Sequence, residues 1–425
     1  MYPVRSRARA NAVEDLGRAT LYGMYFGSAT SSHQVEGGNA NNWSVWEEKN
    51  ADRLAREAER NFGKLHSWPE IKLQAQNPRN YISGVSSDHY NRFEQDFDIA
   101  KSLGHNAHRF SIEWSRIELE EGQFNQEAIE HYKKVSRTLH ERGMEPFVTL
   151  WHWTVPLWFE KKGGWESPQA ADAFSRYVEK VISSLPDVKF WITLNEPEIF
   201  ALNSFYRGIW PPQKKSALTA LKVVSNLIEA QKKAYGAIKQ LRPDAQVGIS
   251  KNNTYFESNR NPINRVFKSI ADWAWNRYIP DKLKGFQDFI GLNYYFHNRI
   301  NFGFNRNRNE RVSDLGWEIF PEGIYHTLKQ MQPYKLPVYI TENGLADAAD
   351  SQRAQFIREH LDWVRQAIQE GCNVQGYFYW SLLDNFEWDK GFWPRFGLVE
   401  VDYVTLERKI RPSALAYKKL IESWR

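Results

Sequence analysis

The chain has 425 residues, 42% of them hydrophobic, and one cysteine, Cys372, so it can fill a large core but cannot close an intramolecular disulfide. Its 56 Lys and Arg against 51 Asp and Glu leave a net charge of +5, too dilute over this length to argue for nucleic acid or a membrane surface as partner. No run approaches the roughly 18 consecutive apolar residues of a bilayer span, and the basic start from Met1 to Arg9 leads into no apolar signal core, so a cytoplasmic protein is expected.

In chain order, residues 1–22 read as a flexible N-terminal extension and 23–425 as a single domain. Eight short runs rich in apolar, β-branched and aromatic residues then follow, at 26–32, 107–114, 145–153, 188–195, 247–253, 288–296, 337–342 and 376–383. Bounded by Pro, Gly and polar clusters, they read as strands buried on both faces. Between them, 88–104 spaces its apolar residues three and four apart from an Asp start to a Gly stop, which predicts a capped amphipathic helix. The pattern repeats from Gln352 to Glu370 before Gly371, and Pro412 to Trp424 forms a last helix. Eight such alternations predict an α/β fold, a single (β/α)8 TIM barrel with elongated βα loops at its C-terminal face. The stretch 39–87 breaks the rhythm. It has room for a short helix at Ala51 to Arg60 and turns at Asn77-Pro78-Arg79-Asn80 and Ser83-Gly84, and it reads as a long loop over the barrel mouth.

Two of the strand runs end on carboxylates. Val188 to Leu194 leads into Asn195-Glu196-Pro197, and Pro337-Val338-Tyr339-Ile340-Thr341 into Glu342-Asn343-Gly344. The C-terminal ends of barrel strands face the active-site mouth. Two carboxyls meeting there have one common chemical use, cleavage of a glycosidic bond. Eighteen Trp, 20 Tyr and 25 Phe could equally pack a core or floor a sugar cleft, and those beside the two glutamates are the better cleft candidates.

Further motifs come in a set order: Phe26-Gly27-Ser28-Ala29-Thr30-Ser31-Ser32-His33-Gln34-Val35-Glu36-Gly37, Arg109-Phe110-Ser111-Ile112-Glu113-Trp114-Ser115-Arg116 and Leu150-Trp151-His152-Trp153-Thr154-Val155-Pro156. Later come Phe289-Ile290-Gly291-Leu292-Asn293-Tyr294-Tyr295 and a tail from Gly376-Tyr377-Phe378-Tyr379-Trp380-Ser381 through Asp384-Asn385-Phe386-Glu387-Trp388 to Arg395-Phe396-Gly397-Leu398. With these motifs in this order, nearly the whole chain resembles glycoside hydrolase family 1, the retaining β-glycosidases.

The resemblance implies hydrolysis of terminal, non-reducing β-D-glucosides, with β-galactosides or β-fucosides also accepted. It implies Glu342 as nucleophile and Glu196 as acid/base, with Arg109 and Tyr295 as donors to Glu342. Gln34, His152, Asn195, Glu387 and Trp388 would hold the sugar hydroxyls, Asn195 reaching the 2-hydroxyl, and Trp380 would form the floor. Trp153 and Phe396 would border the same pocket, while Trp317 and Trp393 could be aglycone contacts or packing. Carboxyls about 5 to 5.5 Å apart, at an effective dielectric of ~20, raise the cost of a second charge by roughly 3 kcal/mol, or about two pKa units. One glutamate should therefore stay protonated near neutrality.

No metal is expected, as no His-Glu-x-x-His spacing occurs, and no cofactor, as no Gly-rich strand-to-helix turn does. The expected partner is a small-molecule β-glycoside or oligosaccharide. A transglycosylase or 6-phospho-β-glycosidase on the same scaffold stays as an alternative. So does a sugar-binding pseudo-hydrolase, against which both glutamates stand. The loop 389–395 lacks the Ser and Lys/Tyr pattern of the phospho-glycosidase branch, and Glu387 would repel a phosphate. Ser115 and His108 depart from the family's usual Pro and Tyr or Phe. The segment 256–284 is shorter than the family's, which predicts an open aglycone side accepting aryl and alkyl groups broadly.

Overall fold

Eight parallel strands close on themselves in the computed structural model, which describes residues 23–424; the expected extension at 1–22 lies outside them. The strands are β1 (Tyr25–Ala29), β2 (Ala107–Ser111), β3 (Glu145–Trp151), β4 (Phe190–Asn195), β5 (Gln246–Ser258), β6 (Phe289–Ile300), β7 (Val338–Gly344) and β8 (Val374–Trp380). Each pairs with its neighbours in sequence, and β1 closes the ring by pairing with both β2 and β8. This is the (β/α)8 barrel that eight alternating runs predict. Its strands begin and end within a few residues of the expected spans, with one exception. β5 and β6 outrun the barrel as a parallel arm, Thr254 opposite Phe296 through Ser258 opposite Ile300.

The main helices are α1 (Asn42–Phe62), α2 (Trp68–Ala75), α3 (His89–Ser102), α4 (Gln126–Glu141), α5 (Ala170–Ser184), α6 (Ala217–Leu241), α7 (Pro262–Ala271), α8 (Glu322–Met331), α9 (Arg353–Gln369) and α10 (Pro412–Trp424). The long loop expected over 39–87 is instead mostly helical, as α1 and α2. Asn41 starts α1: its side chain accepts from the Trp43 and Ser44 N–H groups, and Ser44 Oγ accepts the Asn41 N–H in return. Trp43, Trp46, Ala51, Leu54, Ala55 and Ala58 then fall on one buried face. Three of those six anchors are alanines set among Arg and Glu, which disguises the stripe. Asp88, expected to cap α3, sits at φ 52° with its carboxylate on Asn91 and Arg92 rather than on the helix N–H groups.

The two ends of the barrel interior differ. At the bottom, rings from Tyr25, Phe147, Phe190, Phe289, Tyr339 and Phe378 pack together, Phe147 stacking on Phe190 at 4.3 Å between centroids. The alternation of a strand carries the inward face of β2 from Ala107 in this cluster to Arg109 one step higher. From Arg109 upward the interior is polar. Among the described residues no helix is long and apolar enough to cross a membrane, and Cys372 is a buried free thiol.

Candidate active site

Glu342 stands near the end of β7, almost wholly buried. Arg109 Nη1 donates to its Oε1 at 2.5 Å and the Tyr295 hydroxyl to its Oε2 at 2.8 Å. Arg109 also donates from Nε to Thr149 Oγ1, from Nη1 to the Thr341 carbonyl and from Nη2 to Asn195 Oδ1, so the guanidinium is held in a single orientation. Glu196 follows the last residue of β4, and its N–H continues the strand ladder to the Ser250 carbonyl at 2.8 Å. Its Oε1 accepts from Asn252 Nδ2 at 3.0 Å and Asn293 Nδ2 at 2.9 Å. Asn252, Asn293 and Glu342 stand opposite one another across β5, β6 and β7. The register itself thus brings two amides and a carboxylate to one height beside Glu196.

One carboxylate therefore faces a cation and a phenol, the other two neutral amides. Burial lifts Glu342 above the usual carboxylate range, and Arg109 and Tyr295 oppose that lift. Glu196 is pushed up to about 8, by burial first and then by the charges of Glu342 and Glu198. In so coupled a pair the first proton to leave is that of the group facing the cation, Glu342. Glu196 stays a carboxylic acid at neutral pH. Burial, with the charge of Glu342 beside it, drives the Tyr295 phenol far up, so it remains a donor.

Above the pair lies a cavity of about 630 Å³ lined by Gln34, His152, Trp153, Trp380, Glu387, Trp388 and Phe396 together with both glutamates and Tyr295. Asn195 and Arg109 lie beneath this lining. Because Arg109 can only donate, Asn195 presents Oδ1 to it, and Asn195 Nδ2 must donate to His152 Nε2 at 3.1 Å. His152, kept neutral by burial and by Arg109, then carries its proton on Nδ1, which has no protein partner. Gln34 Oε1 likewise has none, while its Nε2 is held by Asn385, Phe386 and Glu387. The cavity wall thus presents a donor, an acceptor and the Glu387 carboxyl to a sugar's hydroxyls. Glu387 is itself raised to about 8 by burial, against the pull of Lys390. Its loop is pinned from behind: the Asp384 carboxylate takes both Arg411 Nη atoms, at 2.8 and 2.9 Å, and the Gly397 N–H. Glu196, Trp153 and Trp388 all sit at positive φ, 44°, 75° and 51°, a strained backbone held by the packing around it.

The outer wall adds residues that the motifs do not single out: Asn203, Trp210, Trp275, Asn305, Asn307 and Glu318. Trp317 lines the cleft at this rim, whereas Trp393 is buried against Phe62 and lies away from it. Glu198 and Lys251 form a buried pair at 3.3 Å, and Glu198 Oε1 also holds the Asn252 N–H at 2.7 Å. That pair was missed, although Glu198 lies two residues past Glu196. Among the described residues no group of three or more His, Cys, Asp or Glu side chains is set to hold a metal ion.

A parallel barrel that gathers two buried carboxylates at the C-terminal ends of its strands is the architecture of a two-carboxylate glycoside hydrolase. The model of glycosyl hydrolase family 1 matches residues 21–278 and 264–425. The chain is 35% identical to the 1,4-beta-D-glucan glucohydrolase of Thermotoga neapolitana, over 94% of this chain and 98% of that one. It is 32% identical to a beta-galactosidase of Sulfolobus acidocaldarius, over 79% and 83%. The solved beta-glycosidase from Pyrococcus horikoshii is 37% identical and superposes with a TM-score of 0.83 over 94% of each chain. The chain belongs to glycosyl hydrolase family 1, and it is a β-glycosidase.

Proposed function

We propose that this enzyme hydrolyses terminal, non-reducing β-D-glucosides and, through the same pocket, β-D-galactosides, by double displacement. Glu342 attacks the anomeric carbon while the bond to the aglycone oxygen breaks, and Glu196 gives that oxygen its proton. The product of this half is a glycosyl ester on Glu342 and a free alcohol. Esterification removes the Glu342 charge that helps hold Glu196 protonated. Glu196, now a carboxylate, takes a proton from water as the water oxygen bonds to the anomeric carbon and the ester bond breaks. Two inversions return the β configuration. The observation that carries this reading is the unequal bracing of the two carboxylates, Arg109 and Tyr295 on one and two amides on the other.

Gln34, His152 and Glu387 would hold the hydroxyls, with Asn195 at the 2-hydroxyl, and Trp380 and Trp388 would supply the apolar platform. An unphosphorylated sugar is favoured because the Lys390 ammonium is already held by both Asp389 oxygens, at 2.8 and 3.0 Å. Proton NMR of p-nitrophenyl β-glucoside hydrolysis tests the reading. β-Glucose is expected first, followed by mutarotation. α-Glucose first, or turnover of 6-phosphoglycosides alone, would overturn it.

A further inference from the structure

The helix α7 is built inside out. Its apolar residues Ile263, Val266, Phe267 and Ile270, continued by Trp273, form one stripe, and that stripe faces solvent with each side chain between 45% and 57% exposed. The side turned to the barrel is polar. Asn264 is fully buried between Asn259 and the Phe302 N–H, Asp272 accepts from Gln330, and Asn276 bonds both backbone groups of Thr254. In α5, by contrast, the ordinary rule holds, and Phe174, Val178, Val181 and Ile182 are buried. Beside the α7 stripe, the loop tied to Asn264 holds out Phe302 and Phe304, 64% and 55% exposed. Exposed apolar side chains gathered on two neighbouring segments in this way mark a contact with something else.

Charge says what that is. The chain's small overall excess is not spread evenly: residues 257–311 hold ten Arg and Lys against five Asp and Glu, which equals the net charge of the whole protein. Arg260, Arg265 and Arg306 are exposed around the apolar stripe, and none has an ion-pair partner among the described residues. We propose that this face, the outer side of α7 with Phe302 and Phe304, docks on an anionic lipid bilayer, the rings entering the headgroup boundary and the arginines meeting lipid phosphates. A second copy fits less well, because a two-fold pairing would set one net-positive face against another. The even dilution of charge inferred from composition does not hold for this segment. The same two stretches supply Trp275, Asn305 and Asn307 to the cleft wall, so docking sets the outer side of the cleft beside the bilayer.

Co-sedimentation of the full chain with phosphatidylcholine vesicles, with and without phosphatidylglycerol and at low and high salt, tests this. The wild type should pellet with the anionic vesicles at low salt. Either neutral vesicles, high salt, the combined Phe267→Ser, Ile270→Ser, Phe302→Ser variant or the Arg265→Glu, Arg306→Glu variant should weaken binding by roughly tenfold or more. Turnover of a soluble aryl glycoside should be unchanged in both variants, showing that they are folded. A wild type that stays in the supernatant, or a serine variant that pellets equally, would overturn the proposal. So would a wild-type dimer in sedimentation equilibrium that the serine substitutions disperse without any vesicle binding, which would give the face to a second copy.

Discussion

Arg109, Asn195, Asn252, Asn293, Tyr295 and Glu342, at the floor of the cleft, stand on barrel strands, where ladder register and a packed ring layer below fix their heights. Asn203, Trp210, Trp275, Asn305, Asn307 and Trp317, at the rim, stand on the helical and loop segments that connect the strands, outside the barrel ladder. The floor is a closed network in which Arg109 reaches Glu342 and Asn195, and Asn195 in turn reaches His152 and Asn293. The rim is a set of side chains with mostly separate supports. The difference predicts that floor substitutions act on the chemical step and rim substitutions on substrate affinity.

Four kinds of change break or sharpen that contrast, in descending size. Removing the proposed nucleophile with Glu342→Ala should lower kcat on p-nitrophenyl β-glucoside by about 10⁴-fold or more, as measured by steady-state rates. Glu196→Ala should cost about 10² to 10⁴-fold on an alkyl glucoside, whose leaving group needs a proton. On a 2,4-dinitrophenyl glucoside the loss should be far smaller, with a pre-steady-state burst as the glycosyl-enzyme accumulates.

The third change concerns pH. The proposed mechanism needs Glu196 protonated in the free enzyme, so kcat/KM should fall as pH rises through about 8. Glu198 lies near enough for its charge to help hold that proton, so Glu198→Gln should move the alkaline limb to lower pH. Asn252 and Asn293 favour the ionised form by donating to it, and Asn252→Ala should move the limb the other way. The smallest effect belongs to the rim, where Trp317→Ala should raise KM for an aryl glucoside by roughly two- to tenfold and leave kcat nearly unchanged.

The same contrast governs what is legible in the sequence. The barrel strands announce themselves as apolar runs, and two of them end on Glu196 and Glu342, so the fold and the carboxylate pair were legible. The motifs also carried Arg109 and Tyr295. Asn252 and Asn293 were harder, since an asparagine within a strand run has no meaning until three strands are aligned and both amides fall level with Glu342. Past Asn253 and Phe296 the sequence of β5 and β6 turns polar, which hid the arm that carries Phe256, His297 and Asn298 to the rim. In α1 a buried stripe made half of alanines lay under a charged composition. In α7 the apolar stripe was visible, but pattern alone takes such a stripe to face the core. Only the buried Asn264, Asp272 and Asn276 show that it faces outward.

The assignment of roles to the two carboxylates is tested most directly by Glu342→Ala assayed with p-nitrophenyl β-glucoside in added azide, with the product configuration read by NMR. Rescue yielding the α-glucosyl azide is the predicted result, because azide then enters the space that the nucleophile vacates, with a single inversion. Rescue yielding the β-azide, the product expected instead of Glu196→Ala, would contradict the assignment. Wild-type activity in Glu342→Ala without azide would contradict it as well.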